Sequence, residues 1–470
     1  MTKGAKRPGD NTVLIRRCEE YDRSVIERLV TEGMNQLGYA PSGNIFAKPN
    51  VVFAGHPDIL GTEACTNPAV IGGALLALAK SPGVKRVDMG EKSAMGFPTR
   101  ACYGYAGYYD EVKRVNRLAP SPVGIFCIDE ELRDTVFIGG AVHDTLRVAR
   151  KMARADSKVY IPKLKGHCVS NMTGAVKLNI GICSEDERAI RHDFLLDEKI
   201  VDLLSAGNPD FIVVDAIDVG VGNEAFPKLR KLGLIIMGTN AVAVDIVCAR
   251  LLGFRLEDIP YLKLAVARGY TPSRIEDVTL KGDVTGIQGL DEVAKRVMPY
   301  DDEFYRWQDV SKELTRLRSP MRFLWGPYRD GSSAKCLTGC VMGLKMFLAS
   351  FEKYAGPGAF ATAKPSVFVI GKGDEEIDAQ GERVFLLGTC ARAKIKNARH
   401  IMHIDKCFTT ASDMTLTIGN RLGIRSPIAD MRLALPMFGT IFTASLRKLI
   451  FGRYAQDIGY FISKRLMRKI

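Results

Sequence analysis

The sequence lacks the long apolar runs that mark exported or membrane-spanning chains. Its first residues, MTKGAKRPGDNT, are basic and polar, without the apolar core of a secretory signal. A run of about 18 uncharged apolar residues, the length needed to cross a bilayer, occurs nowhere in the sequence. We therefore expect a cytoplasmic protein.

The sequence also lacks nucleic-acid-binding motifs, although its formal net charge is +13. It contains no zinc-finger spacing, helix-turn-helix or aromatic ribonucleoprotein motif, so we expect no nucleic-acid partner. The basic excess is uneven, because residues 447–470 carry seven Lys or Arg against one Asp, interleaved with Leu, Ile, Phe and Tyr. This pattern is typical of a helix on an anionic surface. The tail contacts either a membrane, as a peripheral membrane protein does, or the acidic surface of the protein itself.

No internal repeat or low-complexity tract is present, and 46% of the residues are hydrophobic, enough for substantial cores. Strand-like runs alternate with helical patterns. The strand-like runs are NVVFAG, KRVDMG, VGIFCI, KVYIPKLK, FIVVDAID and LGLIIMG, and the helical patterns are PAVIGGALLALAK, HDTLRVARKMARA and AVAVDIVCARLLGF. This alternation predicts an α/β fold with a mostly parallel sheet flanked by helices. Asn67 and Pro68 predict the start of the first of these helices.

The chain divides into four predicted segments. Residues 1–284 form the α/β domain, and residues 285–331, which are charged and contain proline, form a linker or peripheral helices. Residues 332–432, with the strand-like runs PSVFVIG and RVFLLG, form a smaller C-terminal α/β domain that contains cysteines. Residues 433–470 form a basic amphipathic tail.

Polar residues collect at the predicted strand ends, where ligands bind in open α/β sheets. Lys163, Lys165 and His167 share one strand face, and Lys177 follows the turn NMTG, whose backbone amides can receive an anion. We predict catalytic roles for Lys177, His167 and Asp215. We predict that a small anionic substrate, a carboxylate or phosphate ester, contacts Lys48, Asn50, Lys163, Lys165, Thr173, Gly174 and Asn240. Two alternatives to these roles remain. Lys48 can be a solvated lysine at a strand end without a ligand, and Asp215 can form internal ion pairs with the cations.

Nine of the eleven cysteines fall into two groups, and Cys168 and Cys183 flank the lysine motif singly. Cys18, Cys65, Cys102, Cys127 and Cys248 are scattered in apolar contexts and are expected to be small buried side chains. Cys336, Cys340, Cys390 and Cys407 lie in the predicted C-terminal domain, without the close-set spacing of a bacterial ferredoxin. We predict that these four thiolates bind one metal centre, an iron-sulfur cluster of the four-iron type. Zinc, a redox dithiol and plain buried cysteines are the alternatives, and His400 or His403 can replace one ligand.

Four ordered motifs resemble a known family. KLKGHCVSNMTGAVKLNIG, with FAKPNVV upstream and FIVVDAIDVGVG and GTNAVAVDIVCARLLG downstream, is similar to the prokaryotic family catalogued as domain of unknown function 362. The resemblance runs from about Ile45 to Gly282, and it departs at Leu178, which here stands between Lys177 and Asn179. Members are often described as iron-sulfur proteins with a C-terminal cysteine-rich region, and CLTGC, GTC and DKC resemble a divergent form of it. The resemblance implies no particular reaction.

A weaker resemblance concerns the nickel-pincer lactate racemases. Their motif has a histidine, a small-residue turn, a lysine that carries the pincer nucleotide and a further histidine; here His167, Lys177 and His192 have a similar spacing. This resemblance implies a nickel cofactor at Lys177. The surrounding glycines and the proline-glycine after the lysine are missing.

Three functions are consistent with these residues. The first is a redox protein or oxidoreductase in which the metal-thiolate centre exchanges electrons with an anionic substrate or with a redox partner protein. The second is a non-redox isomerase, racemase-like enzyme or transferase that uses a metal or metal-containing cofactor at His167, Lys177 and His192. The third is a maturation factor that handles a metal or a cluster for another protein.

Overall fold

The computed structural model describes residues 10–297, 303, 305–328, 331 and 333–467. The strands are β1 (Thr12–Arg17), β2 (Gly43–Pro49), β3 (Val84–Glu91), β4 (Val123–Cys127), β5 (Arg133–Phe137), β6 (Thr145–Ala149), β7 (Ser157–Ile161), β8 (Lys163–His167), β9 (Asn171–Thr173), β10 (Phe211–Gly222), β11 (Pro227–Gly238), β12 (Thr279–Gly282), β13 (Arg322–Trp325), β14 (Ser366–Asp378), β15 (Arg383–Lys396) and β16 (His400–Ile404). The helices are α1 (Arg23–Gln36), α2 (Pro68–Lys80), α3 (Thr99–Tyr105), α4 (Tyr108–Leu118), α5 (Arg150–Ala153), α6 (Glu185–Ala189), α7 (Leu196–Gly207), α8 (Ala241–Leu251), α9 (Pro260–Ala267), α10 (Gly286–Ala294), α11 (Val310–Arg316), α12 (Cys340–Ala355), α13 (Ala411–Thr417), α14 (Met431–Ile450) and α15 (Arg453–Met467).

The larger sheet has the strand order β12-β1-β11-β10-β7-β2-β3-β4, and β8 and β9 extend it from β10. The strands from β10 to β4 are parallel, whereas β11 is antiparallel to both β1 and β10. A second sheet, β13-β14-β15-β16, is parallel throughout. The predicted α/β class, with a mostly parallel sheet and a smaller C-terminal α/β unit, is therefore confirmed.

Helices cover both faces of the larger sheet. α1, α2 and α4 pack on one face, where Ile71, Leu75 and Leu78 are fully buried. α7, α8 and α9 belong to the core on the other face. The predicted start of α2 is confirmed, because the Asn67 side chain accepts a hydrogen bond from the backbone N–H of Ala69 and Pro68 is the first helical residue.

Three predicted elements differ from the structure. The first predicted strand, NVVFAG, is displaced to β2, Gly43–Pro49, because the backbone of β2 pairs with β3 on one side and β7 on the other. Lys48 therefore lies at the carboxyl end of the strand. Pro162, which has no backbone N–H, divides the run KVYIPKLK into β7 and β8. The segment HDTLRVARKMARA is strand β6 followed by the single turn α5, because residues 145–149 pair with β5.

Two elements of the structure lie across or near the predicted segment boundaries. β13, inside the predicted linker 285–331, pairs with β14 and belongs to the second sheet. α14 begins at Met431, two residues before the predicted tail. Residues 298–302, 304 and 329–330 of the predicted linker, residue 332, and residues 468–470 of the predicted tail lie outside the described residues.

Candidate functional site

A polar pocket lies where several strands of the larger sheet end. Its walls come from the residue after β2, the end of β3, the end of β8, the turn after β9 and the loop after β10. The lining residues include Asn50, Glu91, Lys92, Lys165, His167, Thr173, Lys177, Arg188 and Glu224. We call this space the cationic pocket, because most of its charged side chains are basic.

Lys177 enters the cationic pocket from the first turn of a short 3-10 helix, Lys177–Ile182. The preceding turn is held by Asp245, whose carboxylate accepts hydrogen bonds from the backbone N–H groups of Ala175 and Val176 at 2.6 and 3.0 Å. Gly174 is required there, since a Cβ at this position would lie 2.3 Å from an Asp245 oxygen. The turn therefore fixes the direction of Lys177.

The ammonium group of Lys177 makes no hydrogen bond or ion pair with any residue that the structure describes. Burial lowers the pKa of Lys177 to about 8, and the nearby carboxylate of Glu224 opposes this shift. A partly buried cation without a partner is costly, because the protein does not replace the water that it loses. The position is therefore suited to an anion from solution.

Lys165 and His167 form the floor of the pocket. Lys165 is fully buried and donates hydrogen bonds to the carbonyl oxygens of Ala64 and Glu224 at 2.9 and 2.6 Å. Burial lowers the pKa of Lys165 to about 7 and the pKa of His167 to about 3. His167 is thus neutral at pH 7, and its Nδ1 accepts from the backbone N–H of Val169 at 3.2 Å, which leaves the proton on Nε2.

Glu224 is the carboxylate nearest to these cations. One of its oxygens lies 3.7 Å from His167 Nε2, and the other accepts a hydrogen bond from the backbone N–H of Cys168 at 3.2 Å. Burial raises the pKa of Glu224, but His167, a hydrogen bond from Cys168 and the charge of Lys177 outweigh burial and lower it to about 2. Glu224 is therefore charged and partly balances the pocket.

Arg188 completes the cationic wall. Its two terminal nitrogens donate to the carbonyl oxygens of Ser93, Lys92 and Ile180 at 2.6, 2.7 and 2.9 Å. Its Nε is buried without a hydrogen-bond partner among the described residues, as is Oδ1 of Asn50, which also lines the pocket. The pocket thus presents both an unpaired donor and an unpaired acceptor.

Five of the predicted site residues meet in this pocket: Asn50, Lys165, His167, Thr173 and Lys177. Lys48 lies behind it, in a fully buried ion pair with Glu91 at 2.5 Å. Gly174 packs on Asp245, and Asn240 caps α8 by accepting from the backbone N–H of Val242.

Lys163 and Asp215 are paired with each other outside the pocket lining. Lys163 Nζ lies 3.0 Å from Asp215 Oδ2, and the same carboxylate accepts from the hydroxyl of Tyr21 at 3.2 Å and the backbone N–H of Asn67 at 2.9 Å. Asp215 therefore forms an internal ion pair with a lysine, which is the alternative to a catalytic role that the sequence left open. The pair links β8 and β10 to the start of α2.

Sequence reasoning missed Glu224, Arg188 and Glu91. Glu224 follows β10 directly in the segment GVGNEAF, so the rule that ligands bind beyond strand ends could have found it. Arg188 lies in the short helix α6, where the acidic neighbours EDE gave it the pattern of an exposed side chain. No local signal distinguishes it.

A second cavity adjoins the cationic pocket and shares His167, Lys177, Arg188 and Glu224 with it. Its far side carries His192 and Phe408, whose rings stack with their centroids 5.2 Å apart. We call it the middle cavity.

The four late cysteines lie next to this middle cavity. A Cβ added to Gly388 would lie 2.8 Å from Cys340 Sγ and 3.9 Å from Cys390 Sγ, and one on Gly339 would lie 3.6 Å from Cys336 Sγ. Cys407 directly precedes Phe408, which lines the cavity. The fold therefore gathers four thiols from α12, β15 and two loops beside His192. His403, on β16, contacts the carbonyl oxygen of Gly388 at 2.9 Å.

The spacing of these thiols bears on the metal that they fit. In the part of the chain that the structure describes, three or more His, Cys, Asp or Glu ligand atoms lie within 4.8 Å of one another only at His167, Cys168 and Glu224. A single zinc ion, with Zn–S bonds of about 2.3 Å, requires a closer set of sulfurs than the late cysteines provide. No three of the late thiols, all of them among the described residues, lie within 4.8 Å of one another. Cys340 Sγ also accepts from the backbone N–H of Thr409 at 3.2 Å, which opposes the effect of burial, but burial is larger and raises the pKa of this thiol to about 12.

The group His167, Cys168 and Glu224 has the right ligand types for one metal ion. Its surroundings oppose a cation, because the charges of Lys177, Lys165 and Lys345 all act on His167. The Lys345 ammonium also donates to the carbonyl oxygen of Cys168 at 2.8 Å. Anion binding fits this electrostatic environment better than binding of a free metal ion.

Fold and site together define an α/β protein with a cationic pocket at the strand ends of its larger sheet and a set of thiols beside it. Residues 45–250 match the model of the family described as "Domain of unknown function (DUF362)", which confirms the predicted resemblance.

Known proteins that are similar to the chain include a cyanobacterial protein and a solved structure. The thylakoid-associated protein sll1697 of Synechocystis sp. is 25% identical over 259 residues, which cover 53% of this chain and 76% of that protein. The lactate racemase apoprotein of Thermoanaerobacterium thermosaccharolyticum aligns with 53% of this chain at 11% identity and a TM-score of 0.30. The alignment spans 59% of the racemase chain. This weak similarity does not transfer a site.

Proposed function

We propose that the protein is an enzyme that binds a carboxylate or phosphate ester in the cationic pocket, beside a metal-thiolate centre on Cys336, Cys340, Cys390 and Cys407. The observation that carries the proposal is the ammonium group of Lys177, which points into a pocket with Lys165 and Arg188 and has no partner among the described residues. A bound anion supplies the missing counter-charge.

The four thiols favour an oxidoreductase over an enzyme without a redox centre. An iron-sulfur cluster bound there would supply one-electron transfer. Phe408, which follows Cys407, and His192 line the middle cavity together with Lys177, so a substrate in the cationic pocket would be near the centre. The protein's own residues bind and orient the anion: Lys177 and Arg188 provide charge, and the Nε2–H of His167 is a hydrogen-bond donor.

A non-redox isomerase is the second candidate, and one observation favours it. Lys165 and Lys177 line one cavity, and burial lowers their pKa values to about 7 and about 8. An amine near neutrality can accept a proton from carbon, and a second amine can return it. Handling of a cluster for another protein, the third function, would use the same four thiols without turnover of a substrate.

The test combines metal analysis with anion binding. Protein purified without oxygen is expected to contain iron and acid-labile sulfide and to be brown. Binding of inorganic phosphate and of acetate is measured by calorimetry for wild type, Lys177→Gln and the control Lys113→Gln, which changes an exposed lysine paired only with Asp110. We expect at least tenfold weaker binding for Lys177→Gln alone. Equal binding by all three proteins would refute the anion site, and absence of iron would refute the redox assignment.

We also propose that α14 and α15 lie on a membrane surface. Of the helices that the structure describes, only α14 is long and apolar enough to cross a membrane by length and composition. Its two halves are tied to the body of the protein, by the buried Leu433 and by an ion pair of Arg447 with Glu130 at 3.0 Å. A helix held along its length in this way lies parallel to the body and contacts a bilayer from one side.

The outward side of these helices is apolar. One row of exposed side chains, spaced by three or four residues, consists of Met431, Leu435, Phe438, Phe442, Leu446 and Leu449 on α14 and Tyr454, Ile458 and Phe461 on α15. We call it the apolar stripe. Phe442 and Phe461 are 71% and 78% exposed, more than a large apolar side chain normally is without a partner. The name of the Synechocystis relative, thylakoid-associated, supports a membrane as that partner.

A further inference from the structure

We propose that the anion bound at Lys177 is the head group of an amphiphile, a molecule with an acyl-type or isoprenyl-type chain that ends in a phosphate or carboxylate. The chain would lie in an apolar groove between α14 and the helices α12 and α13. The inference rests on the proposed function, because it assigns the substrate class of the same pocket.

The groove is lined almost entirely by apolar side chains. Its walls include Phe53, Phe97, Phe226, Met346, Met437 and Phe438. Phe438 also belongs to the apolar stripe and is 55% exposed. The groove therefore opens beside the surface that we assign to the membrane, where an amphiphile would be available.

The groove adjoins the cationic pocket through the middle cavity. Phe97, Met346 and Ala411 line both the groove and the middle cavity. Lys177 and Arg188 line both the middle cavity and the cationic pocket. The three spaces thus form a series that is apolar at the surface end and basic at the inner end.

This change in polarity selects the occupant. A purely apolar ligand would leave Lys177 without a counter-charge, and a small hydrophilic anion would leave the groove unfilled. A helix of another protein can cover the groove mouth, but it provides no anion at the inner pocket. A chain with an anionic head satisfies both ends at once.

Chain length is the first experimental variable. Binding of inorganic phosphate, butyl phosphate and octyl phosphate to the full chain is measured by calorimetry below the concentration at which the esters aggregate. Each methylene buried in an apolar site tightens binding by about fourfold, so we expect octyl phosphate to bind at least a hundredfold more tightly than inorganic phosphate. Acetate and octanoate, measured in the same way, show whether the head is a phosphate or a carboxylate.

Two substitutions distinguish the contribution of the head group to binding from that of the chain. Ala411→Leu adds bulk where the groove meets the middle cavity, and we expect at least tenfold weaker binding of octyl phosphate with unchanged binding of inorganic phosphate. Ala361→Leu, the same change at an exposed position outside the groove, should alter neither. Lys177→Gln should weaken binding of both ligands.

The outcomes distinguish this inference from the proposed function. If inorganic phosphate binds and Lys177→Gln weakens it, but longer chains bind no better, the amphiphile is refuted and the anion site stands. Octyl phosphate that binds equally to wild type and Lys177→Gln also refutes the inference, since its head is then elsewhere. If neither inorganic phosphate nor acetate binds, the proposed function itself fails. The series on the wild-type protein decides the question even if Ala411→Leu does not fold.

Discussion

Single residues show how two lysines of the predicted site differ. Lys163 and Lys177 are both basic residues of the motif region, yet Lys163 is paired with Asp215 and Lys177 has no partner among the described residues. A buried ion pair and a buried unpaired cation respond in opposite ways to removal of the charge. The difference can be measured as stability.

We predict that Lys163→Met lowers the free energy of unfolding by about 3–5 kcal/mol, because Asp215 would remain buried without its cation. Lys177→Gln should leave the free energy of unfolding unchanged or raise it, since it removes a desolvated charge that makes no ion pair and is balanced only in part, by Glu224. Denaturant unfolding of both variants measures the two effects. The double variant Lys163→Met, Asp215→Leu serves as control and should recover part of the loss. A loss for Lys177→Gln as large as that for Lys163→Met would make Lys177 a structural residue.

The pH dependence of anion binding follows from the lowered pKa of Lys177. The protonated amine binds the anion, and burial places its pKa at about 8, so the binding-competent fraction falls as the pH rises through 8. Lys165, with a pKa of about 7, faces the same anion, while Glu224, with a pKa of about 2, keeps its charge over this range. We predict that the affinity for acetate, whose own charge is constant between pH 6 and 10, decreases over this interval by about tenfold per unit above pH 8. Calorimetry across the range tests this; a constant affinity would contradict it.

The sequence indicated which motif residues belong to the site, but it did not indicate how deeply each is buried or which residue it pairs with. The spacing of Lys165, His167 and Lys177 correctly predicted residues that meet in one pocket. The same spacing placed Lys163 with them, although the break at Pro162 and the bulge in the pairing of β8 with β10 direct it toward Asp215. Ion-pair partners distant in sequence, such as Glu91 for Lys48, leave no local pattern.

At the scale of elements, the thiol group depends on how strand β15 passes α12. Gly388 has a φ of +100°, and a Cβ there would lie 2.8 Å from Cys340 Sγ. The strand therefore approaches the thiols as closely as only glycine permits. The sequence predicted β14 and β15 because their apolar runs are clear, but it did not predict β6 or the position of β2, which depend on pairing with distant strands.

We predict that each of Cys336→Ser, Cys340→Ser, Cys390→Ser and Cys407→Ser lowers the metal content of protein purified without oxygen. Gly388→Ala should lower it as well, although it removes no ligand, because its methyl group displaces the Cys340 sulfur. Gly381→Ala is the matched control, since Gly381 also has a positive φ of +79° but open space around its Cβ position. Iron, zinc and sulfide are determined for each protein. Equal metal content in wild type and all four serine variants would exclude these thiols as ligands.

At the scale of the whole molecule, the basic residues of the C-terminal helices contact the protein's own acidic side, one of the two alternatives that the sequence left open for the tail. Arg447 pairs with Glu130, and Arg453 donates to the carbonyl oxygen of Glu131 at 2.6 Å, so basic residues hold the helices to the body. Asp457 of α15 forms an ion pair with Arg133 on the body of the protein. The apolar stripe faces the other way. Removal of residues 447–470 would therefore break internal contacts together with the surface, and point substitutions are the sharper test.

We predict that Phe442→Glu and Phe461→Glu each weaken binding to vesicles of phosphatidylglycerol and phosphatidylcholine by at least tenfold, because insertion of one phenylalanine contributes about 1.5–3 kcal/mol. Leu118→Glu is the matched control, since Leu118 is 54% exposed at the end of α4, outside the stripe. Sedimentation with vesicles measures binding, and the melting temperature confirms that the variants are folded. Equal sedimentation of the three variants would contradict a membrane-facing stripe. A wild-type protein that does not bind vesicles but forms a dimer that Phe442→Glu dissociates would instead assign the stripe to a second copy of the chain.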